Sequence, residues 1–220
     1  MSMRADGKLV FSLGASRSGK SQFVLSQVQN AKRLLVWDVE GEYAAKYKLK
    51  VVEGKQALFD FVKNSNNDEQ VAYHGNIKDF DFFCRMAFIW GLKKEVTVVC
   101  EELAASTNAV KAGGHWGILV SRGLKYGNNI YAVVQRGQET DNSLMGNATI
   151  VNICRPNTIQ DAEYIAGKFG LSLSDIPDAD LEMLQRHKNR TLTKTKLKFK
   201  TIKGKSIPYP VKIKEFSKHF

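Results

Sequence analysis

The stretch Gly14-Ala15-Ser16-Arg17-Ser18-Gly19-Lys20-Ser21 reads G-x-x-x-x-G-K-S, and the sense of the whole chain follows from it. Ahead of it lies the apolar run Leu9-Val10-Phe11-Ser12-Leu13, which suits a buried strand; behind it, Gln22 to Asn30 has helical composition without Pro or Gly. Strand, glycine-bounded loop and helix are the context in which this pattern cradles phosphate, rather than a chance glycine turn before a helix. The glycines let the backbone curl with its N–H groups inward, and the helix N-terminus adds positive potential. In that arrangement Lys20 reaches the β- and γ-phosphates and the Ser21 hydroxyl ligates Mg²⁺. The expected ligands are a nucleoside triphosphate and Mg²⁺.

Moving outward, Arg33-Leu34-Leu35-Val36-Trp37 is a second apolar run ending at Asp38, and Gly41 breaks it into what reads as a polar loop. A carboxylate at such a strand end fits the rule that parallel α/β sheets bind ligands at that edge. The pattern predicts a helix around Gly54 to Lys63, a strand over Gln70 to Tyr73 and an aromatic-rich core helix from Phe80 to Leu92. The run Glu95-Val96-Thr97-Val98-Val99-Cys100 then delivers Glu101-Glu102 about 80 residues downstream of the loop. Two acids at a strand tip supply the second half of a triphosphatase site: Glu101 on the Mg²⁺ side, Glu102 to orient or deprotonate water.

Leu103 to Lys125 reads as mostly helical, interrupted at Gly113-Gly114. The strand Asn129 to Val134 is tipped by Gln135-Arg136, where Gln135 either touches the γ-phosphate or the attacking water, or simply opens a loop. A strand over Thr149 to Cys154 precedes a helix from Thr158 to Phe169, with Ile159, Ala162, Ile165, Ala166 and Phe169 at helical spacing and Gly170 as its stop. Strands alternating with helices predict an α/β fold with a largely parallel sheet and helices on both faces.

The net charge of +11 is unevenly placed: residues 186–220 hold 12 Lys or Arg against one acid, Glu215, so residues 1–185 are balanced. This divides the chain into a core, 1–185, and a basic tail, 186–220. In Thr193 to Thr201 the period is two, so Lys194, Lys196, Lys198 and Lys200 share one strand face about 6.6 Å apart. Lys203-Gly204-Lys205 makes a turn, and Val211 to Lys214 returns as a hairpin partner whose Pro208 and Pro210 confine it to an edge. A polyanion such as double-stranded DNA is one partner for these lysines, with Lys203 and Lys205 at the tip. Protection of an exposed sheet edge is the other role open to them.

Composition removes other classes. No run approaches the 18 apolar residues of a membrane span, and no signal-peptide core precedes the first strand. Cys84, Cys100 and Cys154 read as reduced core thiols, and the four histidines lack ligand spacing.

Taken together, Val36-Trp37-Asp38-Val39-Glu40-Gly41-Glu42-Tyr43, the phosphate loop, Glu101-Glu102 and Gln135 resemble the motif set of HerA-type ATPases of the FtsK-HerA superfamily, in the same order. Over residues 8–170 the chain is similar to the genome-packaging ATPases of icosahedral double-stranded DNA viruses with an internal membrane. His115 to Asn129 resembles their Trp-containing segment before the glutamine strand, and Ile153 to Gly170 their segment after the last core strand. The resemblance implies a RecA-like (ASCE) P-loop NTPase that forms a homo-oligomeric ring around DNA and packages a viral genome, with active sites at subunit interfaces. It implies ATP as the triphosphate, and a trans arginine finger at Arg122, with Lys125 as the alternative. It also implies docking on viral capsid-vertex or membrane proteins, and action in the host cytoplasm during assembly. Two positions depart from the family: Glu101 replaces its usual Asp, and Leu124 stands where a second basic residue is common. A HerA-like helicase or conjugation ATPase, and a nucleotide-gated DNA-binding adaptor, are the other functions considered.

Overall fold

The computed structural model describes residues 5–103, 113–139, 142–189 and 191–217. Part of the helical stretch expected over Leu103 to Lys125 lies outside them. The chain divides into two compact units, one from Met1–Leu9, Asn30–Thr107 and Lys111–Ala132, the other from Val10–Gln29, Asn108–Val110 and Val133–Phe220. The architecture is α/β, with a large, mostly parallel sheet flanked by helices.

In the first unit, β2 (Leu34–Trp37) pairs in parallel with β4 (Gln70–His74) on one side and β5 (Thr97–Cys100) on the other. β3 (Lys50–Glu53) adds parallel to β4, and β6 (Asn129–Val134) to β5. Every residue of β2 is buried, as expected of a parallel strand covered on both faces. Trp37 is stacked on Tyr73 at 5.5 Å and meets Phe80 edge-on at 5.3 Å, so helix α4 (Phe80–Lys93) is pinned to the strands by aromatic contact. The helix α3 (Gly54–Asn64) begins at the expected glycine.

Two features differ from the sequence expectation. The polar loop expected after Gly41 is the short helix α2 (Glu42–Tyr47), because the Asp38 carboxylate accepts the N–H groups of Tyr43 (3.1 Å) and Ala44 (2.8 Å) and caps it. β3 was hidden because only Val52 of its four residues is buried, leaving almost no apolar pattern.

In the second unit, β1 (Leu9–Leu13) runs parallel to β7 (Ile150–Cys154) through Val10 to Leu13. β8 (Glu182–His187), β9 (Thr191–Ile202) and β10 (Lys205–Ser217) continue from β7, each antiparallel to the one before. β8 is a further unexpected strand, and it joins the basic hairpin to β7. Helix α1 (Lys20–Val28) follows the phosphate loop and packs against β10. The remaining helices among the described residues are α5 (Gly114–Ile118) in the first unit, and α6 (Asn142–Asn147) and α7 (Ile159–Phe169) in the second. In α7, Thr158 and Asp161 form a capping box and Gly170 ends the helix in the left-handed region. Ile159 is 57% exposed at the first turn and is not part of the buried stripe.

Candidate functional site

The loop from Gly14 to Gly19 is shaped by backbone angles that few residues accept. Gly14 has φ +142 and Gly19 has φ +106, while Arg17 takes φ 60 despite its side chain. A Cβ on Gly14 would stand 2.9 Å from the Arg155 carbonyl oxygen, so glycine is required twice over. The loop is tied at both ends: the Ala15 N–H donates to the Arg155 carbonyl (2.8 Å), and the Leu181 N–H donates to the Ser18 carbonyl (3.1 Å). Inside, the Ser18 N–H and hydroxyl both reach the Ala15 carbonyl, the latter at 2.7 Å. The Lys20 ammonium reaches the same oxygen, also at 2.7 Å, and is buried there. Ser16 and Arg17 are exposed at the crest and Ser21 is half-buried in the first turn of α1.

Such a loop fits a polyphosphate. The first-turn N–H groups of α1 have no intrahelical acceptor and point toward the loop mouth, and the adjacent ammonium matches an anion. The Cys154 thiol lies below this mouth. Burial pushes it up to about 11, while the Lys20 charge and hydrogen bonds with Asn152, Ser18 and Ser12 pull it the other way.

In the first unit, Glu101 and Glu102 form the turn that leaves β5 at its carboxyl end. Glu101 is half-buried. Glu102 is exposed and takes φ 48, a strained conformation for a non-glycine residue, of the kind that clusters at active sites. Burial first, then the carboxylates of Glu101 and Glu42, push the Tyr47 phenol well above its ordinary range. Tyr47 stands edge-on to Tyr43 at 5.1 Å, so α2 delivers an aromatic pair beside the acid turn. Sequence reading did not single out Tyr47, since one tyrosine in a short polar helix carries no pattern. Asp38, by contrast, spends both its oxygens on capping α2.

Arg122 is exposed in a single π-helical turn, Leu119–Gly123, that extends α5; its neighbours Leu119, Val120 and Gly123 are buried and hold the turn in place. Such turns occur frequently at functional sites. Lys125 is also exposed, two residues beyond the turn. In the second unit, Gln135 is exposed immediately past the buried end of β6. Next to it, Arg136 lies 3.6 Å from Asp161, whose same oxygen accepts from Gln138.

The hairpin register puts Lys194 opposite Lys214, Lys196 opposite Val211, Lys198 opposite Tyr209 and Lys200 opposite Ile207. Residues paired across antiparallel strands share a face, so the lysines are interleaved with apolar and aromatic groups; Lys200 Nζ is 5.4 Å from the Tyr209 ring. Lys196, Lys198 and Lys200 are exposed and Lys194 half-buried; of the residues between them, Thr195 and Leu197 are buried and Phe199 is exposed. Lys203 (φ 49) and Gly204 (φ 73) form the two-residue turn with both residues left-handed that favours tight hairpins, and Lys205 follows it. Among the described residues no cluster of metal-ligating side chains occurs, and no helix is long and apolar enough to cross a membrane.

No protein-family model matches the sequence. The chain is 29% identical over 199 residues to Protein P9 of Pseudoalteromonas phage PM2, covering 86% of this chain and 89% of that protein. In fold it is similar to the genome packaging NTPase B204 from Sulfolobus turreted icosahedral virus 2, a structure in complex with AMP, with TM-score 0.68 and 14% identity over 86% of this chain and 96% of that one. It is also similar to VirB4 of Thermoanaerobacter pseudethanolicus, with TM-score 0.50 and 9% identity over 80% and 86% of the two chains. In fold, the chain is therefore similar to viral genome-packaging NTPases, with the same α/β architecture.

Proposed function

We propose that this protein is an ATPase that packages a viral double-stranded DNA genome into a preformed capsid. The observation that carries the reading is the phosphate loop, with its left-handed glycines and the buried Lys20 ammonium held at its mouth. Gly14 through Ser21 would bind the triphosphate, with Lys20 drawing charge from its β- and γ-phosphates. Ser21 and Glu101 are the residues that would hold Mg²⁺, and the ion would supply positive charge to neutralise the phosphate oxygens. Glu102 orients and deprotonates the attacking water, and its strained backbone is consistent with a side chain held for that task. Gln135 contacts the same water or the terminal phosphate.

In a homo-oligomeric ring, Arg122 of one subunit would complete the site of the next. Its exposure on a fixed turn suits a group that acts on a neighbour. Residues 1–185 make up the ATPase core and 186–220 the DNA-facing element, where Lys194, Lys196, Lys198, Lys200, Lys203 and Lys205 meet backbone phosphates. Similarity to a viral packaging NTPase supports this use of the fold, as does relatedness to a phage protein along most of the chain. The protein would act in the host during virion assembly, docked on capsid-vertex or membrane proteins.

The test is phosphate release by the purified, assembled full chain, with and without double-stranded DNA. Turnover stimulated by the duplex is expected. Absence of turnover in both conditions overturns the proposal, and turnover indifferent to DNA removes its packaging half.

A further inference from the structure

The turn that leads into β8 in the second unit has no part in the chemistry above. Entering β8, the chain passes through Asp180 and Leu181, and Leu181 takes φ 65, which a branched apolar residue rarely adopts. Two backbone bonds hold it there. Its N–H donates to the Ser18 carbonyl inside the phosphate loop (3.1 Å), and its own carbonyl accepts the Leu197 N–H (2.8 Å). Leu197 lies in β9 between Lys196 and Lys198. A single residue is thus one hydrogen bond from the phosphate loop and one from the lysine strand.

Independent contacts converge on the same corner. The Leu181 Cδ2 and Met183 Cε lie 3.1 and 3.2 Å from where a Cβ on Gly19 would be, so their side chains press on the end of the loop. Asp180 accepts from Arg155 Nε at 2.8 Å, and the Arg155 carbonyl holds the start of the loop through Ala15. Alongside, Ser12, Asn152 and Gln185 occupy paired positions on β1, β7 and β8, all buried. Asn152 Nδ2 donates to Ser12 Oγ (3.0 Å), and Gln185 Nε2 donates to Asn152 Oδ1 (3.4 Å). A slip of β8 would orphan these buried groups, so the strand moves with the loop or not at all.

We propose that Leu181 is a positioning residue that couples occupancy of the phosphate loop to the β9–β10 hairpin. A triphosphate that orders the loop at Gly19 also holds the Leu181 side chain packed against it and, through the Leu181 carbonyl, Leu197 and the lysines on either side. By reciprocity, a polyanion gripped by those lysines tightens nucleotide binding by the same factor. The inference rests on the nucleotide site proposed above.

Position-resolved amide hydrogen exchange on the full chain tests it, with and without ATPγS and Mg²⁺. Nucleotide should slow exchange over residues 14–28 and, on the order of tenfold, over 191–202. Leu181→Gly accepts the backbone angle but removes the side chain from Gly19. In that variant the loop should still be protected while β9 ceases to respond, and Leu181→Met should restore the response. Leu181→Asn, which also tolerates the left-handed region, repeats the test should the glycine variant fold poorly. Protection of the loop without any change in β9 of the unmodified chain overturns the coupling and leaves the nucleotide site standing. A β9 response that survives in the Gly and Asn variants overturns the assignment to Leu181. No protection in the loop removes the nucleotide site, and the coupling with it.

Discussion

The Nζ of Lys20 lies 2.7 Å from the carbonyl oxygen of Ala15, five residues earlier in the same loop. This buried contact keeps the ammonium at the mouth of the loop, where a phosphate oxygen can replace the carbonyl as its partner. Lys20→Ala should lower phosphate release by about 10²–10³-fold, the usual loss when one preorganised charge-stabilising group is removed. The Ala15 carbonyl retains its bonds from Ser18, so the melting temperature should change little. Parallel turnover and thermal-melting measurements separate the two effects; undiminished turnover would place the chemistry elsewhere.

Arg122→Ala should abolish turnover, by about 10³-fold or more, while leaving nucleotide binding intact. Mixing this variant with Lys20→Ala chains should recover part of the activity, because some interfaces then combine an intact loop with an intact arginine. Arg136 and Arg155 are poorer candidates, since Arg136 lies beside Asp161 (3.6 Å) and Arg155 beside Asp180 (2.8 Å). Mixed-ring assays without recovery would nevertheless shift the role to one of them.

The lysine face has a quantitative signature. Replacing Lys194, Lys196, Lys198 and Lys200 together with Gln should flatten the dependence of log affinity for duplex DNA on log salt by ~3.6, at ~0.9 per phosphate neutralised. A titration series between low and moderate salt gives the slope directly. Identical slopes for the two chains would return the hairpin to edge protection.

His187 provides a pH dependence. Burial first, then the nearby Lys212 charge, hold its folded-state pKa below the ordinary value. The stability associated with neutral His187 is therefore fully present above about pH 6.5, the unfolded value, and is lost as pH falls toward the lower folded pKa. His187→Gln should reduce the drop in melting temperature between neutral and mildly acidic buffer. An unchanged drop would assign the acid sensitivity to other groups.

The glycine loop was legible because its shape is encoded in backbone permissions: Gly14 and Gly19 occupy angles that side-chain-bearing residues rarely adopt, and sequence records that directly. The same holds for the acid pair at the end of an apolar strand and for the lysine alternation, where a period of two survives as a shared face. Strands β3 and β8 left weak traces, one mostly exposed and the other with only two apolar residues, Met183 and Leu184, between polar ends. The fate of Asp38 was hidden too, since a carboxylate after a strand looks the same whether it faces a ligand or caps the next helix.

The sequence by itself determined the parallel α/β plan, the loop that can hold phosphate and the basic hairpin, because each follows from local spacing and residue chemistry. Only the tertiary structure decided that Leu181 would bridge Ser18 and Leu197, and that Tyr47 would stand near Glu101. Those relations join residues far apart in the chain through hydrogen bonds and burial, and no periodicity encodes which distant group a backbone N–H or a phenol will meet.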